Sequence, residues 1–254
     1  MATYKKRGYK KSIPTDTNDK VEMESTTAEV FETLDSTASR TEEWISRYQN
    51  FIITAVGLIA LSVLSYLGYQ NYIFEPKKTE AVSELSQAQY YFELAVNGQE
   101  SDSLFRRALN GGEGKYGFLD IIDNYAGTPA AKLATYSAGM AYLNLGDYVN
   151  AIAYLDQFDT DDVMLKALAK GAIGDAFAEI DQPQEAYDYY VAAFEASDNT
   201  FSAPKYLFKA GLLGASLGKN KAAIGYFKRI QSDYPESAEA RKVEVQIGRL
   251  ENLN

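Results

Sequence analysis

The stretch AGMAYLNLGDYVNAIAYL (138–155) recurs twice in altered form, as IGDAFAEIDQPQEAYDYY (173–190) and AGLLGASLGKNKAAIGYF (210–227). In each copy a glycine stands second and a turn signal follows seven residues later. A small residue and then a large one come after the turn. The glycine lets a second helix approach the first, and the large residue fills the space between them. The spacing therefore predicts two antiparallel helices per copy, because Gly or Asp-Gln-Pro connects them.

This recurrence resembles a known repeat family. The glycines are 35 and 37 residues apart, close to the period of about 34 residues in tetratricopeptide repeats. The order of small residue, aromatic, turn, alanine and aromatic is also similar to the signature of that family. The resemblance implies three tetratricopeptide repeats, at 128–161, 163–199 and 203–234, with Pro235 where the family usually places proline.

The sequence before the first clear repeat carries a weaker version of the pattern. Residues 114–126 have the spacing of a second helix from an earlier unit. Its partner is predicted in 78–97, and 98–113 is predicted to be an inserted loop or a short helix. We therefore expect the repeat array to begin well before residue 128.

The C-terminal stretch, 235–254, predicts a helix that shields the last repeat from water. Val243, Ile247 and Leu250 fall on one helical face, with charged residues opposite them. No alternating strand pattern appears after residue 78. The fold class is therefore predicted to be all-α, with a tetratricopeptide-repeat α-solenoid over 78–254 that ends in this capping helix.

An apolar run, FIITAVGLIALSVLSYLGY (51–69), precedes the repeats and contains no charge and no proline. At ~1.5 Å per residue it spans close to the ~30 Å of hydrocarbon in a bilayer. A buried core helix is the alternative, but globular cores rarely supply so long a run that is apolar on every face. We predict a single transmembrane helix over 51–74, an amphipathic helical lead-in over 26–50 and a disordered basic tail over 1–25.

Small residues lie along one side of the predicted span. In a membrane, small side chains let another helix approach closely. We therefore expect a contact with a second membrane helix at this side, which is formed by Gly57, Ala60, Ser65 and Gly68.

The distribution of basic residues predicts the orientation in the membrane. The first 50 residues carry eight Lys and Arg, whereas the first dozen residues beyond the span offer only Lys77 and Lys78. The positive-inside rule then places the N-terminus in the cytoplasm and the repeats on the opposite side. Within about 15 residues of the span the two sides are equal, so the bias comes from the more distant part of the tail.

Composition excludes several functions. The net charge is −10, and most of the acidity lies after residue 50, so the phosphates of nucleic acids would repel the repeat domain. The chain has no Cys and no His, which removes disulfides, thiol nucleophiles, imidazole acid–base chemistry and the usual zinc sites. We expect a protein that is not an enzyme and that needs neither a cofactor nor a metal.

Two motifs suggest ligands but fail on their details. The glycine-rich GGEGKYG (111–117) lacks the first glycine and the Ser/Thr of a phosphate-binding loop, and no strand precedes it, so a turn between helices is predicted. An acidic cluster at 156–162 lacks the spacing and the closing Glu of a calcium-binding EF-hand loop. A solvated turn between repeats is the prediction for this cluster.

The resemblance to tetratricopeptide repeats also implies a binding groove lined by the first helix of each repeat. This surface is apolar and aromatic with few charges, which favours an extended segment or an amphipathic helix as the bound partner. The alternative is that the flanking N-terminal helices fill the groove from within. The groove positions of the family fall on Tyr136, Met140, Asn144, Asp175, Lys205, Phe208, Leu212 and Ser216.

The order of short tail, single span and acidic tetratricopeptide domain resembles the YfgM-like family, ancillary subunits of the bacterial SecYEG translocon. The resemblance implies an inner-membrane protein with a periplasmic domain. It further implies translocon subunits and a periplasmic chaperone as protein partners, in a non-catalytic, chaperone-like adaptor role. A structural scaffold of another envelope machine, such as a secretion or motility apparatus, is the alternative. The tail here is longer than in that family, which leaves room for a further cytoplasmic contact.

Overall fold

The computed structural model describes residues 26–98 and 101–252, with side chains from residue 44 onward. It divides into one compact unit that ends at Tyr66 and a second that begins at Leu67. The tail predicted at 1–25 lies outside the described residues.

The described residues form helices joined by short turns. Within these ranges no β-strand occurs, and β-type pairing is limited to an isolated bridge between Gly112 and Lys115. The prediction of an all-α fold, with a long N-terminal helix followed by helical repeats, is confirmed.

The N-terminal helix, α1, runs without interruption from Thr26 to Tyr69. Its apolar side chains are exposed rather than packed into a core, for example Phe51, Leu58 and Leu64. The continuous helical stretch Trp44–Asn97 contains a segment that is long and apolar enough to cross a membrane, and none of that segment is buried. By length and composition, this helix can span a bilayer.

A π-helix, Gln70–Phe74, joins α1 to α2, which covers Glu75–Asn97. Proline at position 76 has no N–H and crowds the carbonyl group four residues before it. The wider turn precedes this proline, and the Glu75 N–H bonds to the Gln70 carbonyl five residues back. The chain therefore stays helical through Pro76 and continues as α2.

A long helix, α2, and two shorter ones precede the clear repeats. Helix α2 packs against α3 (Ser101–Asn110) and α4 (Phe118–Asn124). The stretch predicted as a loop or short helix at 98–113 thus contains a helix, α3. Phe92 of α2 holds the group together by edge contacts with Phe105 and Phe118, at centroid distances of 5.4 and 6.0 Å. All three helices also share one core with the next helix, α5 (Pro129–Asn144).

Three helical hairpins follow, each a pair of neighbouring helices. The first helices of the pairs are α5, α7 and α9, and the second helices are α6, α8 and α10. Their bounds are Pro129–Asn144 and Tyr148–Gln157, Val163–Glu179 and Pro183–Ala196, and Ala203–Ser216 and Asn220–Asp233.

The recurring glycines lie where the two helices of each hairpin are closest. A Cβ added to Gly139 would stand 2.5 Å from Leu155 Cγ. The same addition at Gly174 meets the Tyr190 ring at 2.8 Å, and at Gly211 it meets the Phe227 ring at 2.4 Å. These are the large residues whose spacing the sequence repeats. The predicted packing of a large side chain against a glycine is confirmed in all three hairpins.

The turns within the hairpins share one geometry. Gly146, Asp181 and Gly218 occupy the same turn position with φ of 74°, 57° and 75°. In each turn the next residue donates its N–H to a carbonyl group of the first helix, for example Asp147 to Tyr142 at 2.9 Å. These are Schellman-type helix ends, in which a left-handed residue is required. Asp181 tolerates that conformation less readily than glycine does.

The last helix, α11 (Ala240–Glu251), packs against α10 and touches α9. Val243, Ile247 and Leu250 are its buried residues. The predicted apolar face of the capping helix is therefore confirmed, and it joins the core of the last hairpin.

Candidate partner-binding surface

The first-helix surface consists of the side chains of α5, α7 and α9 that are not buried against the second helices. The predicted groove residues divide into two groups on this surface. Tyr136, Met140, Asp175 and Phe208 are half-buried, whereas Asn144, Lys205, Leu212 and Ser216 are exposed. The second group is therefore fully accessible to a partner, whereas the first group is accessible only in part.

Tyr136 and Met140 contribute to packing between the first two repeats. The Tyr136 ring lies 5.2 Å from the ring of Phe158, in the loop after α6. Both side chains pack against a small core cluster that includes Leu155 and Ile173. Burial raises the pKa of Tyr136 above its ordinary value, as expected for a phenol removed from water. Truncation of either side chain would therefore disturb the fold as well as the surface.

Asp175 links three helices instead of standing free in a groove. Its Oδ1 accepts a hydrogen bond of 2.7 Å from the Tyr190 hydroxyl and lies 2.5 Å from Lys209 Nζ. The ammonium group of Lys209 also lies 5.3 Å from the centre of the Tyr190 ring. Burial, followed by the negative charge of Asp175, raises the pKa values of Tyr190 and Tyr206. This polar group fixes α7, α8 and α9 relative to one another.

Phe208 occupies the junction of the last repeat and the capping helix. Its ring lies 5.9 Å from the ring of Phe227 on α10. The Nζ atom of Lys242, on α11, lies 5.9 Å from the centre of the Phe208 ring. Lys205 and Leu212 lie three residues before and four residues after Phe208, which puts them on the same side of α9. The Leu212 side chain is 40% exposed. An apolar surface with basic residues beside it therefore faces solvent here.

The remaining two predicted residues bond to their own helices. Asn144 Nδ2 donates to the Met140 carbonyl at 2.7 Å, and Ser216 Oγ donates to the Leu213 carbonyl at 2.7 Å. Both side chains are nevertheless exposed, so they remain able to exchange these bonds for contacts with a partner.

Sequence reasoning missed two lysines at this surface: Lys209 on α9, and Lys242, which reaches Phe208 from α11. Lys209 pairs with a carboxylate 34 residues earlier, a separation close to one repeat length. The repeat period could have suggested that pairing. Lys242 belongs to the capping helix, for which the sequence predicts only a role in covering the core.

The acidic loop after α6 leads into α7 and supplies the N-terminal cap of that helix. Asp162 Oδ1 accepts hydrogen bonds from the backbone N–H groups of Met164 and Leu165, at 2.8 and 3.0 Å, and so caps α7. Within the ranges for which side chains are described, no three carboxylates come together as a metal site. A cleft of 380 Å³ lies beside this loop, between Lys132 and Phe158.

The glycine-rich stretch at 111–117 forms a tight turn between α3 and α4. Gly112 and Lys115 exchange backbone hydrogen bonds of 3.2 and 3.0 Å across Glu113 and Gly114, which both have positive φ. The prediction of a turn between helices is confirmed, and the preceding element is a helix rather than the strand that a phosphate-binding loop requires.

The small-residue side of the apolar helix has no protein neighbour in the described chain. A Cβ added to Gly57 or Gly68 would meet nothing within 4 Å, and Ala60 and Ser65 are exposed. The membrane-helix contact at Gly57, Ala60, Ser65 and Gly68 therefore stays a prediction.

The helical hairpins, their glycine-spaced packing and the shared turn geometry define an α-helical repeat protein. The family described as Tetratricopeptide repeat matches residues 134–160 and 206–237. These segments cover most of the α5–α6 and α9–α10 hairpins, and the α7–α8 hairpin between them has the same glycine contact and turn geometry. No curated protein matches the chain. Tetratricopeptide repeats imply a role in protein–protein interaction, and such all-helical solenoids are typically interaction scaffolds rather than enzymes.

Proposed function

We propose that this protein is a non-catalytic adaptor of the bacterial inner membrane that binds protein partners through its first-helix surface. Its apolar helix anchors it, and its repeat domain lies in the periplasm. In this role it works beside the Sec translocon and assists polypeptides as they emerge, in the manner of the YfgM-like subunits that it resembles.

The observation that carries the proposal is the exposed apolar part of the first-helix surface. Leu212 is exposed beside the half-buried Phe208, although every other apolar position around them on α9 is used in the core. Aromatic side chains are enriched at the centres of protein interfaces, and polar residues surround them. The surrounding aromatic contacts keep the helices fixed, so a partner would meet a preformed site.

Membrane anchoring gives this surface a physical advantage. A binding site that is confined near the exit of a translocon meets emerging chains at a high effective concentration, so modest affinity is sufficient. The apolar helix supports such anchoring because it is long enough to span the hydrocarbon and leaves its apolar side chains outside any core. The excess of basic residues before this helix supports a cytoplasmic N-terminus.

Site-specific photo-crosslinking in native bacterial membranes tests the proposal. A benzoylphenylalanine would replace Leu212 in one variant and Val149 in a matched control. Val149 is 70% exposed and lies on α6, away from the first-helix surface. We expect adducts with translocon subunits or with secreted polypeptides from position 212, and few or none from position 149.

Three results would change the proposal. Equal adducts from both positions would remove the first-helix surface as the binding site. Adducts from position 212 to proteins of another envelope machine would retain the adaptor and replace the Sec assignment by a scaffold role. Extraction of the full-length protein by alkaline carbonate would contradict the membrane anchor.

A further inference from the structure

The C-terminal end of the first-helix surface, formed by α9, carries a local excess of positive charge. Helix α9 contains Lys205 and Lys209 and no carboxylate, although the net charge of the chain is −10. The neighbouring α8 has the opposite character, with three acidic residues and no basic one. Charge is thus segregated between adjacent helices of the array.

The two basic residues next to Phe208 are not neutralised within the protein. Across the side chains that the structure describes, no carboxylate lies within 4 Å of the Nζ atom of Lys205 or Lys242. Lys209 differs, because Asp175 pairs with it at 2.5 Å. Lys205 and Lys242 therefore keep their full charge available to a ligand.

One of these ammonium groups lies beside Phe208, and the other, that of Lys205, lies 5.4 Å from the centre of the neighbouring Tyr206 ring. Lys242 reaches from α11 to within 5.9 Å of the Phe208 ring centre. Lys205 and Leu212 share the face of α9 that carries Phe208. We use the name basic strip for Lys205, Phe208, Leu212 and Lys242. The strip therefore offers an apolar contact beside two unpaired cations from two different helices.

We propose that the basic strip binds an acidic polypeptide segment, one that carries Asp or Glu beside an apolar side chain. This inference rests on the proposed adaptor function and specifies the chemistry of its partner. The apolar side chain packs on Phe208 and Leu212, while the carboxylates approach Lys205 and Lys242.

An anionic lipid surface is the less suitable ligand for this strip. The strip provides only two unpaired cations, and the rest of the chain is strongly acidic. A flat anionic membrane would bring many negative charges close to those acidic groups, whereas a single segment would not.

The experiment uses the full-length protein in nanodiscs of uncharged lipid and two labelled synthetic peptides. Each peptide has about 16 residues, long enough to form a helix on binding. One carries Glu beside Leu at helical spacing, and the other carries Gln in place of every Glu. Fluorescence anisotropy measures the dissociation constants at about 0.05 M and about 0.5 M salt. Vesicles of anionic lipid are measured in parallel.

Charge reversal identifies the strip as the binding site. We expect the Glu peptide to bind roughly tenfold more tightly than the Gln peptide at low salt, and to lose this advantage at high salt. Lys205→Glu combined with Lys242→Glu should weaken binding of the Glu peptide roughly tenfold. Lys221 is exposed on α10, away from the strip. Lys221→Glu makes the same type of charge change there and should weaken binding of the Glu peptide less than about twofold.

Several outcomes would overturn the inference. Equal affinity for the two peptides would do so. An equal loss of affinity for the Glu peptide in the Lys205→Glu, Lys242→Glu variant and in Lys221→Glu would do the same. Binding of anionic vesicles that depends on Lys205 and Lys242, without binding of the Glu peptide, would assign the strip to lipid instead. If the Gln peptide binds well and Leu212→Asp abolishes that binding, the acidic preference is wrong but the adaptor function stands. If neither peptide depends on Leu212, the adaptor surface itself is wrong.

Discussion

Replacement of Gly139 by alanine tests the packing rule on which the whole array depends. The added Cβ would stand 2.5 Å from Leu155 Cγ and 3.1 Å from the Leu155 backbone nitrogen. Carbon atoms pack at about 3.5–4.0 Å, so the contact with Cγ is short by at least ~1 Å. Rotation of the leucine side chain cannot relieve the contact with the backbone. Helix α6 must therefore move away from α5.

The magnitude follows from two opposing effects. Overpacking of a buried site costs about 1–3 kcal/mol, and Leu155 is only 2% exposed, which favours the upper part of that range. Alanine in place of glycine inside a helix returns about 1 kcal/mol through its better helix propensity. We expect Gly139→Ala to lower the free energy of unfolding by about 1–2 kcal/mol.

Gly225→Ala is the matched control, because its added Cβ meets nothing within 4 Å and the residue lies inside α10. This variant should gain about 1 kcal/mol from helix propensity alone. The two variants should thus differ by about 2–3 kcal/mol, or roughly 4–12 °C in melting temperature for a domain of this size. Near-UV circular dichroism of the tyrosines in the full-length protein reports the loss of tertiary packing, to which the apolar helix contributes little.

The reasoning would be refuted if Gly139→Ala were as stable as Gly225→Ala. A further check is the double-mutant cycle with Leu155→Ala, which removes the clashing side chain. The two substitutions should then couple, with a combined loss smaller than the sum of the single losses. Strict additivity would mean that Gly139 and Leu155 are not in the contact that the structure shows.

Two other perturbations test the core and the polar group on Asp175. Ala186→Leu should overpack the buried side of α8 and cost about 1–3 kcal/mol in thermal unfolding; an unchanged melting temperature would contradict this. Burial and the charge of Asp175 raise the folded-state pKa of Tyr190 above its ordinary 10.0, so stability from this group is present below pH 10 and falls as pH rises further. At about pH 8 the Tyr190→Phe variant should be less stable than the wild type in urea unfolding, because it lacks the hydrogen bond to Asp175. This difference in free energy of unfolding should shrink near pH 11, where the wild type itself loses stability. A difference between the two proteins that grew with rising pH would contradict the raised pKa of Tyr190.

The hairpin architecture was predictable from sequence because it depends on local spacing. The distances from Gly139 to the turn at Gly146 and to Leu155 are set along one hairpin, where helix geometry converts spacing into contact. The uncharged run at 51–69 likewise shows its character without reference to any other residue. Helix type, turn position, glycine contacts and the buried face of α11 could therefore all be predicted.

The character of the binding surface was decided by the tertiary structure. Sequence placed Asp175 among the groove residues, but its pairing with Lys209 depends on how α9 lies against α7, a relation between different repeats. The approach of Lys242 to Phe208 depends in the same way on the docking of α11. The repeat period indicates which helices are neighbours, but the distances between side chains on different hairpins are set by the packing of many side chains at once. For this reason the sequence determined the helices of this protein, and the tertiary structure decided which of their side chains remain free to bind a partner.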